Sequence, residues 1–168
     1  AIMWHFPYVG KKAFNSAYDR INWINDEKHF QSWQEGKTGF PMMDAGIRQL
    51  NQTGFMHNRL RMLSANFLAK HLLTDWRWGE AYFAEKLFDY EFSSNNGGWQ
   101  WCAGSGSDAA PYFRIFNPYT QQHKFDANED FIREWIPEYG TSDYPEQIIN
   151  IRETRTRCLS AYKAALQP

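Results

Sequence analysis

The sequence is poor in cysteine, carries no excess of positive charge and contains no long apolar run. Cys102 and Cys158 are its only cysteines, too few for a disulfide framework or a cysteine-built zinc site. Lys and Arg number 18 against 19 for Asp and Glu, a net charge of −1. Contact with nucleic acid would therefore rest on a local patch and not on a global basic field. The apolar stretches are too short to cross a bilayer. No basic start with an apolar segment and a small-residue cleavage site marks a secretory signal. The expectation is a reduced, cytoplasmic protein with no membrane partner. His5, His29, His57, His71 and His123 form no ligand-like spacing, so no metal site is expected. No serine elbow, phosphate-binding glycine loop, internal repeat or low-complexity tract is present.

What the chain does have is aromatic residues. They make up 18% of its 168 residues, with 8 tryptophans. A chain of this length forms about one domain and can bury a real core. The aromatic load fits a large aromatic core. It equally fits stacking surfaces for bases or a flat cofactor, or a route for electrons.

The pattern along the chain is helical. Ala1 to Gly10 reads as the tail of an element, and Phe14 to Trp33 as loop followed by a short helix. The turn cluster Gly36 to Pro41 opens a helix that Gly54 stops. Asn58 to Leu73 reads as one helix, with Leu60, Leu63, Phe67 and His71 on one face and Asn58, Met62 and Ala65 or Asn66 on another. Trp76 to Phe88 reads as a helix with Trp78, Tyr82 and Phe83 inward and Glu80, Glu85 and Lys86 outward. Gly104 to Asn128 reads as a long loop. Asn128 then caps a helix to about Ile136. Asp143 caps a last helix opened by Pro145, with Ile148, Ile151, Arg155, Leu159, Tyr162 and Leu166 inward. No alternating strand is visible. The fold class is all-α with long loops.

Three stretches carry unusual chemistry. In Gly54 to Met62, Asn58 and Met62 stand four apart and share a helix face. An amide beside a thioether suits a flat polar heterocycle, the amide bonding its edge and the sulfur packing on it. Arg59 and Arg61 could meet phosphate or carboxylate; the plainer reading is a polar helix start with solvated arginines. Asp89 to Trp101 gathers acids, amides, Gly97, Gly98, Trp99 and Trp101. The glycines allow close backbone approach to a ligand, and the tryptophans differ by about 200° around a helix. The plainer reading is a turn and a buried aromatic helix. Pro111 to Phe125 interleaves Arg114, His123 and Lys124 with aromatics and amides, as a local nucleic-acid patch would. It also fits a loop pinned by its own aromatics.

The runs Trp33 to Pro41, His57 to Met62, Asn95 to Trp101 and Asp108 to Pro118 resemble the photolyase/cryptochrome family, most closely the class I cyclobutane pyrimidine dimer photolyases. The resemblance covers nearly the whole chain. It implies the C-terminal portion of a helical FAD-binding domain over residues 1–168. An N-terminal antenna domain and the first part of the helical domain would lie outside it. The implied activity is light-driven repair of pyrimidine dimers in DNA by electron transfer from excited reduced FAD, with FAD expected in the intact protein and doubtful in this fragment. The intact protein is expected to be monomeric, and the fragment prone to self-association.

By that resemblance, Asn58, Met62 and Trp101 correspond to the dimer-contacting residues. Asn58, Arg59, Trp101, Arg114 and Thr120 correspond to DNA contacts. Phe55, Asn58, Arg61, Asp89, Tyr90, Glu91 and Asn95 correspond to the flavin site. Trp99, Trp76 and Trp23 correspond to a tryptophan chain that carries electrons between flavin and surface. Phe55 stands where Trp is common and Glu91 where Asp is common. The alternative is a cryptochrome-type blue-light receptor; plant-type cryptochromes tend to have Asp where Asn95 stands and to lose the residues matching Met62 and Trp101.

Overall fold

The computed structural model describes residues 8, 11–13, 16–103 and 114–167. The readings made above for Ala1 to Pro7, Val9, Gly10, Phe14 and Asn15, and for Gly104 to Phe113, lie outside these residues. The described chain is helical, and no strand occurs within it. A 3-10 turn at Ser16–Arg20 precedes helix α1, Glu27–Glu35. The Asp26 carboxylate caps α1 by accepting from His29 N–H, and Gly36 ends it at φ 66°. Helix α2, Pro41–Thr53, starts on its proline and ends at Gly54, φ 75°. These bounds follow from residues that pre-set or permit the terminal dihedrals.

Helix α3 runs Asn58–Asn66, and the His57 imidazole accepts from Arg59 N–H at its start. It continues as a π-helical turn, Phe67–His71, in which Leu72 N–H donates to the Phe67 carbonyl. The expected single helix to Leu73 is thus wider in its last turn. The widening lets Asn66, Lys70 and His71 all face one segment, where a regular helix would turn His71 away. Helix α4 is Trp76–Lys86, capped by Asp75. Helix α5, Phe92–Ala103, continues without a break through Gly97 and Gly98.

Part of the expected long loop is helical: α6 spans Pro118–Phe125, with Asn117 accepting from Tyr119 and Thr120 N–H. Helix α7 is Asp130–Trp135. Its cap is not Asn128 but Asp126, whose carboxylate takes the Phe131 and Ile132 N–H groups at 3.1 Å. The last helix, α8, begins at Ile151 under an Asn150 cap and not after Asp143. Its buried face is Thr154, Cys158, Tyr162 and Ala165, and Arg155 is exposed. The sequence reading has Tyr162 right and Ile148 and Ile151 packed on the core, but its Arg155, Leu159 and Leu166 stand one position beyond the buried Thr154, Cys158 and Ala165. None of these helices is long and apolar enough to cross a membrane.

Aromatic burial organises the core. Trp33, Trp76, Trp99, Phe40, Phe67 and Phe83 are all enclosed in one cluster. Each such side chain removed from water contributes roughly 1.5–3 kcal/mol before entropy is counted. The Trp33 ring stacks on Phe30 and Phe83 and meets Tyr82 and Trp99 edge-on. Its indole N–H donates to the Ser64 carbonyl. A smaller cluster under α8 joins Ile21, Leu73, Cys158 and Tyr162. The Gly36 to Pro41 turn is fixed by buried Asp44. Its carboxylate accepts from Thr38 N–H, Thr38 hydroxyl, Gly39 N–H and the Tyr144 hydroxyl.

Helices α4 and α5 meet where Gly79 faces Trp99. A Cβ on Gly79 would lie 2.0 Å from Trp99 Cη2. Gly79→Ala is therefore expected to destabilise the protein by about 1–3 kcal/mol, although alanine is the better helix former. The check is the denaturant midpoint together with the near-ultraviolet dichroism of the buried tryptophans. An unchanged midpoint would count against this close approach.

Candidate functional site

The N-terminal turns of α3, the end of α4 and one side of α5 border an open cleft with a cavity volume of about 140 Å³, smaller than a complete small-molecule site. Its apolar wall is Met62, Ala65, Phe83, Leu87, Trp99 and Cys102; its polar edge is Asn58, Arg61, Asp89, Glu91 and Asn95. Tyr90, Ser94 and Gly98 complete the lining. A Cβ on Gly98 would meet nothing within 4 Å, so the helix face there opens directly onto free space. Gly97 and Gly98 thus leave room beside the backbone, and they do so from inside a helix.

The Asn58 amide lies 3.7 Å from the Met62 sulfur, the side-by-side pairing that their spacing suggested. Arg61 is not a solvated helix-start charge. Its Nε donates to the Met56 carbonyl at 2.6 Å, and one terminal nitrogen spans both Asp89 oxygens at 2.9 and 3.1 Å. Phe55 lies beside this pair, its ring 6.0 Å from the guanidinium carbon and 6.2 Å from the exposed Phe88 ring. Phe55 borders the cleft without lining it.

Glu91 lines the cleft but spends its carboxylate on α5, accepting from Ser93 N–H at 3.0 Å and Ser94 N–H at 2.7 Å. Those backbone donors hold its carboxyl below the usual range. Asn95 donates its amide N–H to the Glu80 carbonyl at 3.1 Å, so its side-chain oxygen is left as the group to present to a ligand. Trp99 is enclosed, edge-on to Phe83 at 5.0 Å and to Trp33 at 6.0 Å, and its indole N–H has no hydrogen-bond partner. Cys102 donates toward the Met62 carbonyl, and burial pushes its thiol up to about 12. That thiol is a wall and not a nucleophile.

Other expected site residues lie elsewhere. Trp101 is half-buried against the core and is not part of the cleft wall, as its 200° offset from Trp99 requires. Trp99 and Trp76 share the main core and Trp23 packs at its edge. Trp23 meets Tyr162 edge-on. Arg59 turns away from the cleft, and Arg114 and Thr120 are exposed.

Glu80 is the residue that the sequence reading placed wrongly. It was expected outward on α4, yet it is 9% exposed. Its carboxylate accepts from Asn96 at 2.7 Å, and the Asn96 oxygen accepts from Gln100 at 3.1 Å. The i, i+4 spacing of those α5 amides was a legible sign that a polar group sits beneath them.

An all-helical module with a cleft of flat apolar walls, edge amides and an acid–arginine pair is the form of a helical domain that binds a flat heterocyclic cofactor. The family model described as the FAD binding domain of DNA photolyase matches residues 1–142, and the chain belongs to that family. The deoxyribodipyrimidine photo-lyase of Escherichia coli K12 is 49% identical over 183 residues, covering 98% of this chain and 39% of that protein. A crystal structure of a bacterial class III photolyase from Agrobacterium tumefaciens superposes with a TM-score of 0.94 at 44% identity, covering 98% of this chain and 39% of that one. An archaeal photolyase from Sulfolobus tokodaii, solved with two FAD molecules, gives 0.92 at 44%, covering 97% and 41%. The chain therefore spans about two-fifths of the length of the relatives it matches.

Burial raises the Glu80 carboxyl to about 7, against an ordinary value of 4.5. A raised folded value means that the folded state holds the proton more tightly. The stability this group contributes is full below pH 4.5 and is lost as pH rises through 7. Glu80→Gln keeps an acceptor for Asn96 without the titration. Its denaturant midpoint relative to wild type is expected to rise between pH 5 and 8; a constant difference would show that Glu80 does not titrate there.

Proposed function

We propose that the protein containing this chain repairs cyclobutane pyrimidine dimers in DNA under blue or near-ultraviolet light, with FAD seated in the cleft. The observation that carries this reading is the Asn58–Met62 pair at the edge of a cleft whose wall is Trp99 and whose far edge is Asn95. The family match and the photolyase relatives support it. The residues present fit FAD. The cleft has flat apolar walls, Gly98 leaves free space, and the Asn95 amide oxygen is a polar partner at its edge.

Bound and reduced, FAD would supply light absorption and the electron that splitting of the dimer requires. The protein supplies orientation and electrostatics. Asp89 and Arg61 form a charge pair against which a change of ring charge is offset. The Asn95 oxygen would accept a ring N–H without adding charge, the bond to the Glu80 carbonyl holding the amide in that orientation. Photolyases are among the enzymes that take their target bases out of the stack. Asn58 and Met62 then meet the base edges and faces, Trp101 supplies a stacking surface, and Arg59, Arg114 and Thr120 contact the DNA strand. Trp99, Trp76 and Trp23 carry electrons from the surface to the cleft.

Illumination of the full-length, FAD-loaded protein with dimer-containing DNA is expected to restore the undamaged bases, with no reaction in the dark. Repair of (6-4) products in place of cyclobutane dimers, or no repair in light, would overturn the reading. Trp99→Phe is expected to abolish light-dependent reduction of bound FAD while chemically reduced protein still repairs. The visible flavin spectrum reads the first and dimer counting the second. Normal photoreduction by this variant would remove Trp99 from the electron route.

A further inference from the structure

Arg59 and Lys124 are exposed, and among the described residues neither belongs to an ion pair. Both instead lean on one ring. The Arg59 guanidinium carbon is 4.4 Å from the Phe125 centroid, and the Lys124 ammonium is 5.3 Å from it. Phe125 is itself 42% exposed. It closes α6, while Arg59 lies in the first turn of α3. The ring therefore ties together cations from different helices.

Asp126 and Glu129, the first two acids after Phe125, are engaged. Asp126 turns inward to cap α7, and Glu129 pairs with Arg133. Asn58 lines the cleft, whereas Arg59, one residue on, lines a neighbouring groove with His57, Gln121 and Phe125. Thr120 is exposed one turn before Lys124 on α6. A strand delivering a base to the cleft edge at Asn58 would pass this side of α3.

We propose that Phe125 is a positioning residue that holds Arg59 and Lys124 as a paired clamp for DNA phosphates beside the cleft. The inference rests on the reading of the site as one that acts on DNA. A guanidinium laid over a ring keeps its N–H donors pointing outward in its own plane, where phosphate oxygens can reach them. Pre-placing both cations spares the rotamer freedom that two long side chains would otherwise lose on binding. The groove behind Phe125 is lined by Met42, Leu60 and Leu63, so an aliphatic replacement still covers it and removes only the aromatic face.

The test uses the full-length, FAD-loaded protein and dissociation constants for undamaged and dimer-containing duplexes over a salt series. Phe125→Leu is expected to weaken both duplexes by the same factor, about fivefold, and Phe125→Tyr to bind as wild type does. Phe125→Met, a second aliphatic replacement, is expected to match Leu. Arg59→Gln with Lys124→Gln is expected to flatten the dependence of log K on log salt by about two, and Phe125→Leu to add no further loss on that background. Unchanged binding by both aliphatic variants overturns the proposal. So does a loss that persists without the two cations, or one confined to dimer-containing DNA. Wild-type protein that binds neither duplex overturns the DNA reading itself, and the clamp with it.

Discussion

The cleft depends on how closely α5 approaches α4, and that approach depends on the missing side chain of Gly79. The Trp99 ring sits where a Cβ on Gly79 would be, 2.0 Å from its nearest atom. With the indole pressed flat there, α5 is held in rotation as well as in distance. Glu91, Asn95, Gly98 and Cys102 then form one stripe facing α3, and Trp101 is turned away. The wall, the directed amide and the free space at Gly98 all follow from that single contact. A core of interlocked aromatic rings suits this task because its packing is dense and tolerates little displacement.

The polar groups around the cleft act through placement more than through strength. The Arg61 and Asp89 side chains are 25% and 42% exposed, and a pair this open to water contributes about 0–1 kcal/mol to stability. Its value is that Nε is already committed to the Met56 carbonyl, so the guanidinium cannot swing out of the site. Glu91 likewise works as a helix cap, and so fixes where α5 begins. Glu80 is the exception, a carboxyl buried under the α5 amides and hydrogen-bonded to Asn96.

A buried polar spine holds the segment leading into α6. Asn66 accepts from Phe116 N–H at 2.9 Å, Lys70 donates to the Arg114 carbonyl at 2.9 Å, and His71 bonds the Phe116 carbonyl at 3.0 Å. Burial lowers the Lys70 ammonium to about 8 and depresses the imidazole of His71. The π-helical turn brings these donors and acceptors into one row. It thereby sets where α6, and with it Thr120, Lys124 and Phe125, stands relative to α3.

Helix existence and several boundaries were legible in the sequence, because the cause is local: Pro41 and Gly54 set the ends of α2 through their own dihedrals, and Asn58 to Met62 share a face by helix geometry alone. The family resemblance was legible as well, since its motifs are contiguous runs. Other features were decided between elements that are distant in the chain. The choice of Asp126 over Asn128 as a cap is the local exception, its carboxylate reaching forward to the Phe131 and Ile132 N–H groups. Asn150 displaced Asp143 because the intervening segment packs against the Thr38 turn, with Ile148 N–H on the Thr38 carbonyl. Glu80 went inward because amides on α5 satisfy it there, which no pattern within α4 records. The sharing of Phe125 by Arg59 and Lys124 spans helices far apart in sequence. Local dihedral preference and periodicity determined the helices; which polar groups are buried, and which charges meet, was decided only when tertiary packing supplied their partners.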